Sequence, residues 1–325
     1  AGDVPGLVYS ANGGIVETGR AAGPADIESL PMPAYDLLPM ERYDAFDRFS
    51  RSGGGRCMSL FTSRACPYGC IYCHAVFGKT FRARSAKSVV QEMRHLNDRY
   101  GVTAFEIVDD AFNLDRRRVL DICGMISRSG LRPTLAFPNG MRADLLDEEQ
   151  IAALGAAGTV YMAFAVECAS QRLQKLIRKR NDLPRVQRAI EIARSHGIHT
   201  HGFFMIGLPG ESLEEMEETV NFIVSSDLHT FNLFVATPYE GTELGEMSKR
   251  MGRGVVTDFS QDYYSKDFIN LTDVPKERVN ARRRRAMLRF YLDPARAYRI
   301  LHDFPGDRSV TRMARIFLRR LSWKA

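Results

Sequence analysis

Cysteine is scarce in this chain, with six residues among 325, and long apolar runs are absent. Secreted disulfide scaffolds are short and dense in cysteine, so this composition argues against that class. A membrane-spanning helix needs roughly 18 or more consecutive apolar residues. The longest apolar runs here, such as 160–166 and 203–208, have only the length of a strand. No internal repeat is visible either, which disfavours a solenoid.

The chain is nevertheless long and apolar enough to bury a large core. Of its 325 residues, 45% are hydrophobic, which suits one large domain or one domain with extensions. Charge is distributed unevenly along it. Residues 273–325 contain 15 Lys and Arg against 5 Asp and Glu, and the rest of the chain contains 30 against 34. The basic excess therefore lies entirely in the C-terminal part.

The end of the chain spaces apolar residues at helical intervals among arginines: Val310, Met313, Ala314, Phe317 and Leu321. This pattern predicts a basic amphipathic helix. Two settings fit it, a core-facing helix with a solvated basic face and a helix in peripheral contact with an anionic membrane surface. Nucleic-acid binding is disfavoured, because few aromatic residues interleave with the arginines.

Residues 56–236 alternate short apolar segments with amphipathic ones. Such alternation predicts right-handed βα units around a parallel sheet, and six units instead of eight predict a partial barrel. The predicted helices lie near 85–100, 114–129, 147–156, 171–195 and 212–225. The predicted strands are 57–61, 104–108, 134–137, 160–166, 200–206 and 230–235.

Three of the cysteines form one short motif, Cys66-x3-Cys70-x2-Cys73. A structural zinc site needs four ligands, whereas a four-iron cluster takes one thiolate per iron. Three thiolates would therefore leave one iron open to an outside ligand. The alternatives are a chance spacing, a disulfide with a spare thiol, and a zinc knuckle completed by His74. The other cysteines are expected to be core residues: Cys57, Cys123 and Cys168.

Polar residues follow every predicted strand at its carboxyl end, which is the edge where parallel sheets collect functional groups. The sequence therefore predicts a site at this edge. The groups in question are the cysteine motif, Asp109 with Asp110, Asn139 with Arg142, Glu167, the 207–211 loop and the 237–239 segment.

The cysteine motif resembles the signature of the radical S-adenosylmethionine (SAM) superfamily. The resemblance implies that Cys66, Cys70 and Cys73 bind a 4Fe–4S cluster and that SAM chelates the open iron. One electron from the cluster would then cleave SAM to methionine and a 5′-deoxyadenosyl radical. It also implies an electron donor such as flavodoxin or ferredoxin. Thiolate-bound iron favours a reducing, cytoplasmic location.

The same resemblance suggests which other residues bind SAM. Asp109 or Asp110 would meet the ammonium group, Glu167 the ribose or amino group, and Arg178 the carboxylate. The loop containing Gly207 and Pro209 would approach the adenine, and Tyr72 would pack near the same base.

Local alternatives remain for several of these residues. Asp109 and Asp110 are also suited to capping the helix that begins near Leu114. Arg178 lies in a basic stretch, Arg-Lys-Arg, that is equally typical of a solvated face. Glu167 follows an apolar run, and a carboxylate buried there needs a partner.

Sequence flanking the predicted barrel is similar to the cobalamin-binding subgroup of the superfamily. The proline-rich stretch at 30–39 resembles the linker after a cobalamin domain, and Asp-Asp-x-Phe at 109–112 resembles that subgroup's version of a position that often reads Gly-Gly-Glu. We expect a linker whose preceding cobalamin domain this sequence does not contain, then the barrel, then a helical basic extension. The predicted boundaries are 1–55, 56–240 and 241–325.

The resemblance implies an enzyme similar to the anaerobic magnesium-protoporphyrin ester cyclase and the hopanoid-modifying enzymes. It would modify an unactivated carbon of a small molecule, lipids and tetrapyrroles included, by methyl transfer, cyclisation or rearrangement, with cobalamin as an additional cofactor if the missing domain binds it. One alternative is a non-catalytic iron–sulfur scaffold or sensor. Another is an RNA-modifying radical SAM enzyme, although no RNA-binding barrel or extra cluster cysteines are visible.

Overall fold

The computed structural model describes residues 2–19, 21, 23, 26–43, 55–74, 76–258 and 267–303. The N-terminal part contains an antiparallel hairpin of β1 (Val8–Ala11) and β2 (Gly14–Glu17), followed by the short helix α1 (Met40–Tyr43). The sequence predicted only an extended linker here, so the hairpin is an addition. The predicted basic helix at the end of the chain lies outside the described residues.

A six-stranded parallel sheet forms the centre of the molecule. Its spatial order is β10-β9-β8-β7-β6-β3, so each βα unit adds a strand beside the previous one. The predicted α/β fold with a partial six-unit barrel is therefore confirmed. β4 and β5 form a separate antiparallel pair. The strands after the hairpin are β3 (Arg56–Leu60), β4 (Ser63–Arg64), β5 (Arg82–Ala83), β6 (Val102–Ile107), β7 (Thr134–Met141), β8 (Thr159–Glu167), β9 (His199–Ile206) and β10 (Thr230–Val235).

Helices cover one face of this sheet, and their starts are encoded locally. Ser85 caps α2 through its side chain, and capping boxes open α4 at Asp147 and Gln150 and α7 at Ser212 and Glu215. The helices are α2 (Ala86–Tyr100), α3 (Arg116–Ser129), α4 (Glu148–Ala156), α5 (Gln171–Leu176), α6 (Leu183–Ser195), α7 (Leu213–Ser225), α8 (Glu243–Arg250), α9 (Lys276–Tyr291) and α10 (Pro294–Asp303).

The helix predicted over 171–195 is in fact two helices. Between α5 and α6, Arg178 and Arg180 adopt the left-handed φ values of +57° and +52°, which a right-handed helix cannot continue. Asp182 then caps α6 with its side chain. We call residues 178–180 the lysine turn, since Lys179 lies between the two left-handed residues. The break decides which basic side chain reaches the predicted site.

Three apolar clusters pack around the sheet. Along β8, Met162 and Phe164 belong to the main core under the helices, while Tyr161 and Ala163 belong to a small cluster on the opposite face, as the period-two geometry of a strand requires. A separate core at the carboxyl edge, which we call the second core, contains Ile71, Leu173, Ile177 and Leu208 among its members. It joins the cysteine motif to the ends of the later strands.

The C-terminal helices α9 and α10 pack at the β10 edge of the sheet. The ring of Phe290 on α9 meets Phe231 on β10 edge-on, with centroids 4.7 Å apart. On α10, Arg296 donates hydrogen bonds to backbone carbonyls at the end of α7, including that of Leu228 at 2.7 Å. Within the described ranges, no helix combines the length and the apolar character that crossing a membrane requires.

Candidate active site

The three cysteines of the motif line one cavity of about 260 Å³ at the carboxyl edge of the sheet. We call residues 66–73 the cysteine loop. Cys66 and Cys70 are partly buried and Cys73 is exposed. The loop leaves β4 and returns through β5, so the antiparallel pair holds its two ends together. The predicted convergence of the motif with other strand ends is therefore present in the fold.

Backbone contacts hold the cysteine loop in place from beneath. Ile71 is 2% exposed and packs in the second core. Its N–H donates to the carbonyl of Ile177 at 3.3 Å, and its own carbonyl accepts from the N–H of Leu244 at 2.8 Å. At the start of the loop, Ala65 has φ +72° and donates its N–H to Asp110 at 3.1 Å. Groups other than the sulfurs thus hold the loop in place.

The hydrogen bond between Cys70 and Cys73 favours the thiolate form of Cys70. A hydrogen bond from Cys73 lowers the pKa of Cys70 to about 6, with burial acting in the opposite direction and the ammonium of Lys179 assisting. The same hydrogen bond raises the pKa of Cys73. Thiolates are the ligand form for iron.

The donor set fits a cluster better than a single metal ion. Among the described residues, no three His, Cys, Asp or Glu side chains lie close enough together to bind one metal ion. A 4Fe–4S cluster offers each thiolate its own iron, so its three ligands need not converge on a point. The imidazole of His74 donates from Nε2 to the carbonyl of Glu240 at 2.9 Å. The zinc-knuckle alternative therefore has no geometric support in the part of the chain that is described.

Asp109 and Asp110 point to different places, and of the two only Asp110 lines the cavity. Its carboxylate is 4% exposed and accepts from the Thr62 N–H at 2.6 Å and from the hydroxyls of Thr62 and Ser63 at 2.5 and 2.6 Å. It thereby anchors the segment leading into the cysteine loop. Asp110 is exposed and lines the cavity. Only Asp110 is positioned to meet a ligand there.

Glu167 and Lys179 form the charged pair of the cavity. Glu167 ends β8 with φ +75°, a strained conformation for a residue with a side chain and one that collects at functional sites. Its carboxylate lies 3.4 Å from the Nζ of Lys179, whose side chain is 11% exposed. Burial opposes the charge on Lys179, but Glu167 and the neighbouring thiols outweigh it and raise its pKa. The ammonium is thus kept charged beside the cysteines.

Arg178 does not line this cavity, so its position does not support the predicted contact with the SAM carboxylate. Its guanidinium faces outward, 52% exposed, and makes two hydrogen bonds to Glu243 at 2.6 and 2.8 Å. The adjacent Lys179 enters the cavity instead. A basic residue at this point was predicted, but the unpredicted break of the helix turns Lys179, and not Arg178, towards the cavity.

The remaining predicted residues divide between the cavity and its surroundings. Tyr72 lines the cavity and packs against the second core, where burial and the nearby Glu167 carboxylate raise its pKa. Gly207 and Pro209 are buried beside the cavity without lining it. Gly207 has φ +83°, and a Cβ there would lie 2.9 Å from Val235. Their predicted contact with adenine stays a prediction.

Glu211 stabilises the turn that contains these two residues. Its carboxylate accepts from the backbone N–H groups of Gly207 and Leu208 at 2.5 and 2.8 Å. Burial raises its pKa to about 8, although both hydrogen bonds favour the charged form. Within the 207–211 loop that the sequence singled out, the structure therefore shows a carboxylate buried inside the turn.

Comparison with known proteins places this geometry in a family. The profile described as "Radical SAM superfamily" matches residues 60–223, about half of the chain. The uncharacterized methyltransferase PH0819 of Pyrococcus horikoshii is 29% identical over 317 residues, which covers 96% of this chain and 67% of the relative. Cytidylyl-2-hydroxyethylphosphonate methyltransferase of Streptomyces wedmorensis is 32% identical over 251 residues, covering 73% and 47%.

The two enzymes to which the sequence suggested a likeness also match. The anaerobic magnesium-protoporphyrin IX monomethyl ester cyclase of Rubrivivax gelatinosus is 25% identical and the hopanoid C-3 methylase of Methylococcus capsulatus 27%, each over 74% of this chain and less than half of the relative. Among solved structures, TsrM from Kitasatospora setae with cobalamin and a [4Fe-4S] cluster bound has a TM-score of 0.63 at 19% identity. The match covers 92% of this chain and 65% of TsrM and shows a shared fold.

This chain spans between about half and two thirds of the length of most of these relatives. The profile match, the shared partial barrel and the three-cysteine loop at its carboxyl edge agree with one another. They confirm the family that the cysteine motif predicted, together with the two cofactors that its members bind, a 4Fe–4S cluster and SAM. The chain belongs to the radical SAM superfamily.

Proposed function

We propose that this chain is the catalytic barrel of a radical SAM enzyme that modifies an unactivated carbon of a small molecule, with methyl transfer as the leading reaction. The observation that carries the proposal is the convergence of three thiols, two ammonium groups, one guanidinium and two carboxylates on a single cavity. Relatives named as methyltransferases favour methyl transfer over cyclisation and rearrangement.

Cys66, Cys70 and Cys73 would hold the cluster and leave its fourth iron for SAM. Lys179 provides an ammonium for the SAM carboxylate, while Glu167 and Asp110 provide acceptors for the SAM ammonium and ribose hydroxyls. This assignment replaces Arg178 by Lys179 and Asp109 by Asp110. When bound, the cluster and SAM supply a 5′-deoxyadenosyl radical by one-electron cleavage of a carbon–sulfur bond.

The chain itself positions the reactants and excludes water. Tyr68, Tyr72 and Phe77 line the cavity with aromatic surface, and Gly140 and Ala165 keep one wall free of bulk. A Cβ on Gly140 would lie 3.2 Å from that of Ala165, so this wall has no room for a larger residue. Water exclusion protects a carbon radical from side reactions, and close packing orients the reacting hydrogen.

We further propose the subgroup and its organisation. Residues 1–55 would act as the connector from a cobalamin-binding domain, 56–240 as the barrel and 241–325 as the helical extension. Two observations support this: the similarity to relatives of greater length and the cobalamin named with the TsrM structure. Lipids and tetrapyrroles remain candidate substrates, because the hopanoid methylase and the cyclase match. Flavodoxin or ferredoxin as electron donor, a cytoplasmic location and membrane contact by the basic tail stay predictions.

The test is anaerobic purification followed by reaction with SAM and dithionite. We expect a brown protein with four irons per chain that forms 5′-deoxyadenosine, and a Cys70→Ala variant that forms none. A protein with an intact cluster and no cleavage of SAM under any reductant would instead be a scaffold or sensor. Steeply salt-dependent retention of RNA would favour the RNA-modifying alternative.

A further inference from the structure

Arg142 contacts both working parts of the cavity, the cysteine loop and the lysine turn, although it belongs to neither. It follows β7 at the carboxyl edge of the sheet and is only 11% exposed. Its guanidinium lies over the ring of Tyr68, 4.3 Å from the centroid. Its Nη1 donates to the carbonyl of Lys179 at 2.8 Å. One side chain therefore bridges the loop between the first two cysteines and the backbone of the lysine.

The guanidinium is itself held in a fixed orientation. Asp144 accepts from its Nε at 3.0 Å and from its Nη2 at 2.5 Å, a two-point contact. The backbone on which it sits is fixed by Asn113, whose side-chain amide donates to the Arg142 carbonyl at 2.7 Å. Burial opposes the charge, and the hydrogen bonds to Asp144 outweigh it, so that the pKa of Arg142 is raised. Contacts within the protein alone therefore set the orientation of the guanidinium plane.

The lysine turn needs such support because its backbone is strained. Arg178 and Arg180, on either side of Lys179, both have left-handed φ, and each costs free energy that neighbouring contacts must offset. On its outer side the turn is held by the exposed pair of Arg178 with Glu243. On its inner side the carbonyl of Lys179 is held by Arg142. Arg142 thus joins this turn to the cysteine loop through side chains, beside the backbone hydrogen bond from Ile71 to Ile177.

We infer that Arg142 is a positioning residue that fixes the cysteine loop and the lysine turn relative to each other. The Arg142 guanidinium is a rigid plane, and its contacts with both segments set the distance between the thiols of the cysteine loop and the Lys179 ammonium. The inference rests on the proposed function, since it assigns Lys179 to SAM. The flat, forked shape of the guanidinium is required at position 142. A lysine placed there could not stack on Tyr68, pair with Asp144 at two points and reach the Lys179 carbonyl at the same time.

Hydrogen exchange on the cluster-free chain tests this without any activity. In Arg142→Met, amide exchange in peptides covering both 66–74 and 175–182 should be about 10- to 100-fold faster, as expected when hydrogen bonds of a charged group are lost. Arg142→Lys should behave in the same way. Arg178→Met, the matched control, should affect 175–182 alone, and Tyr68→Leu should affect 66–74 alone. Circular dichroism checks that each variant is folded.

Wild-type-like exchange in Arg142→Lys would overturn the inference, because charge alone would then suffice. An effect of Arg142→Met on only one of the two peptides would overturn it as well. If Arg142→Met does not fold, the comparison of Arg142→Lys with Tyr68→Leu decides the question. In the reconstituted protein, Arg142→Lys should also bind SAM about tenfold more weakly, since it disturbs a charged contact. If the wild type assembles no cluster, the proposed function fails while the exchange result still decides the role of Arg142.

Discussion

Replacing Asp109 by alanine should destabilise the entrance to the cysteine loop far more than replacing its neighbour Asp110. The Asp109 carboxylate, 4% exposed, is the acceptor for the Thr62 N–H and for the hydroxyls of Thr62 and Ser63. Behind it, Arg118 donates to the Thr62 carbonyl at 2.8 Å and loses a counter-charge in the variant. Alanine leaves three buried donors without their acceptor and removes the negative charge near Arg118, which keeps its own acceptors on Thr62 and Arg84.

The magnitude follows from these contacts. A buried donor left unsatisfied costs about 1–3 kcal/mol, and breaking a buried charged network costs about 3–5 kcal/mol in total, because the groups share one site and their losses are not additive. We expect a loss of about 3–5 kcal/mol for Asp109→Ala. Burial raises the pKa of Asp109 despite its hydrogen bonds and Arg118. Asp109→Asn, which is neutral and keeps an acceptor, should therefore cost only about 1–2 kcal/mol.

Urea denaturation of the cluster-free protein under anaerobic conditions measures these differences. Asp110→Ala is the matched control, because that carboxylate is exposed and accepts one hydrogen bond, from Ala65 at 3.1 Å. Its loss should stay within about 1 kcal/mol. The reasoning fails if Asp109→Ala is as stable as the wild type, or if the two alanine variants lose the same free energy of unfolding.

Three further predictions concern the cavity and the core. Lys179→Met should weaken SAM binding by about 10- to 100-fold, the value of a charged hydrogen bond, while Arg178→Met changes it little; equal losses in equilibrium dialysis would contradict this. Burial lowers the pKa of His199 and His229, so the free energy of unfolding should fall below about pH 6.5, where the unfolded chain takes up protons, by about 1.4 kcal/mol per pH unit for each histidine. His199→Phe should flatten that slope, and an unchanged slope would refute the assignment. Ile71→Ala should cost about 2–5 kcal/mol by leaving a cavity in the second core, with a parallel loss of bound iron; full iron content would show that the loop does not depend on this anchor.

Local pattern was sufficient to predict the sheet and the cysteine loop. All six parallel strands were predicted within a few residues of their observed bounds, because each is a short apolar run between amphipathic segments. The order of the strands followed from the handedness of βα units. The resemblance of the cysteine motif to a known signature predicted the family. None of these features depends on which distant residue a side chain meets.

Side-chain direction at the site could not be predicted in the same way. Arg178 and Lys179 are neighbours in the sequence, and two left-handed residues decide which of them turns inward. Arg178 faces outward and pairs with Glu243, which lies 65 residues further along the chain. Asp109 and Asp110 are likewise adjacent, and only the position of Thr62 shows which one is buried. Long-range contacts determine which side chain of each pair faces the cavity, and the local sequence pattern does not show those contacts.

The central claim is that the cysteine loop holds a 4Fe–4S cluster with one iron left for SAM. Electron paramagnetic resonance of the reduced, anaerobically reconstituted protein, recorded with and without SAM, tests it most directly. The account predicts a four-iron signal whose g values shift when SAM is added, and no such signal in Cys70→Ala. A signal that is indifferent to SAM, or zinc bound by the loop in place of iron, would contradict it.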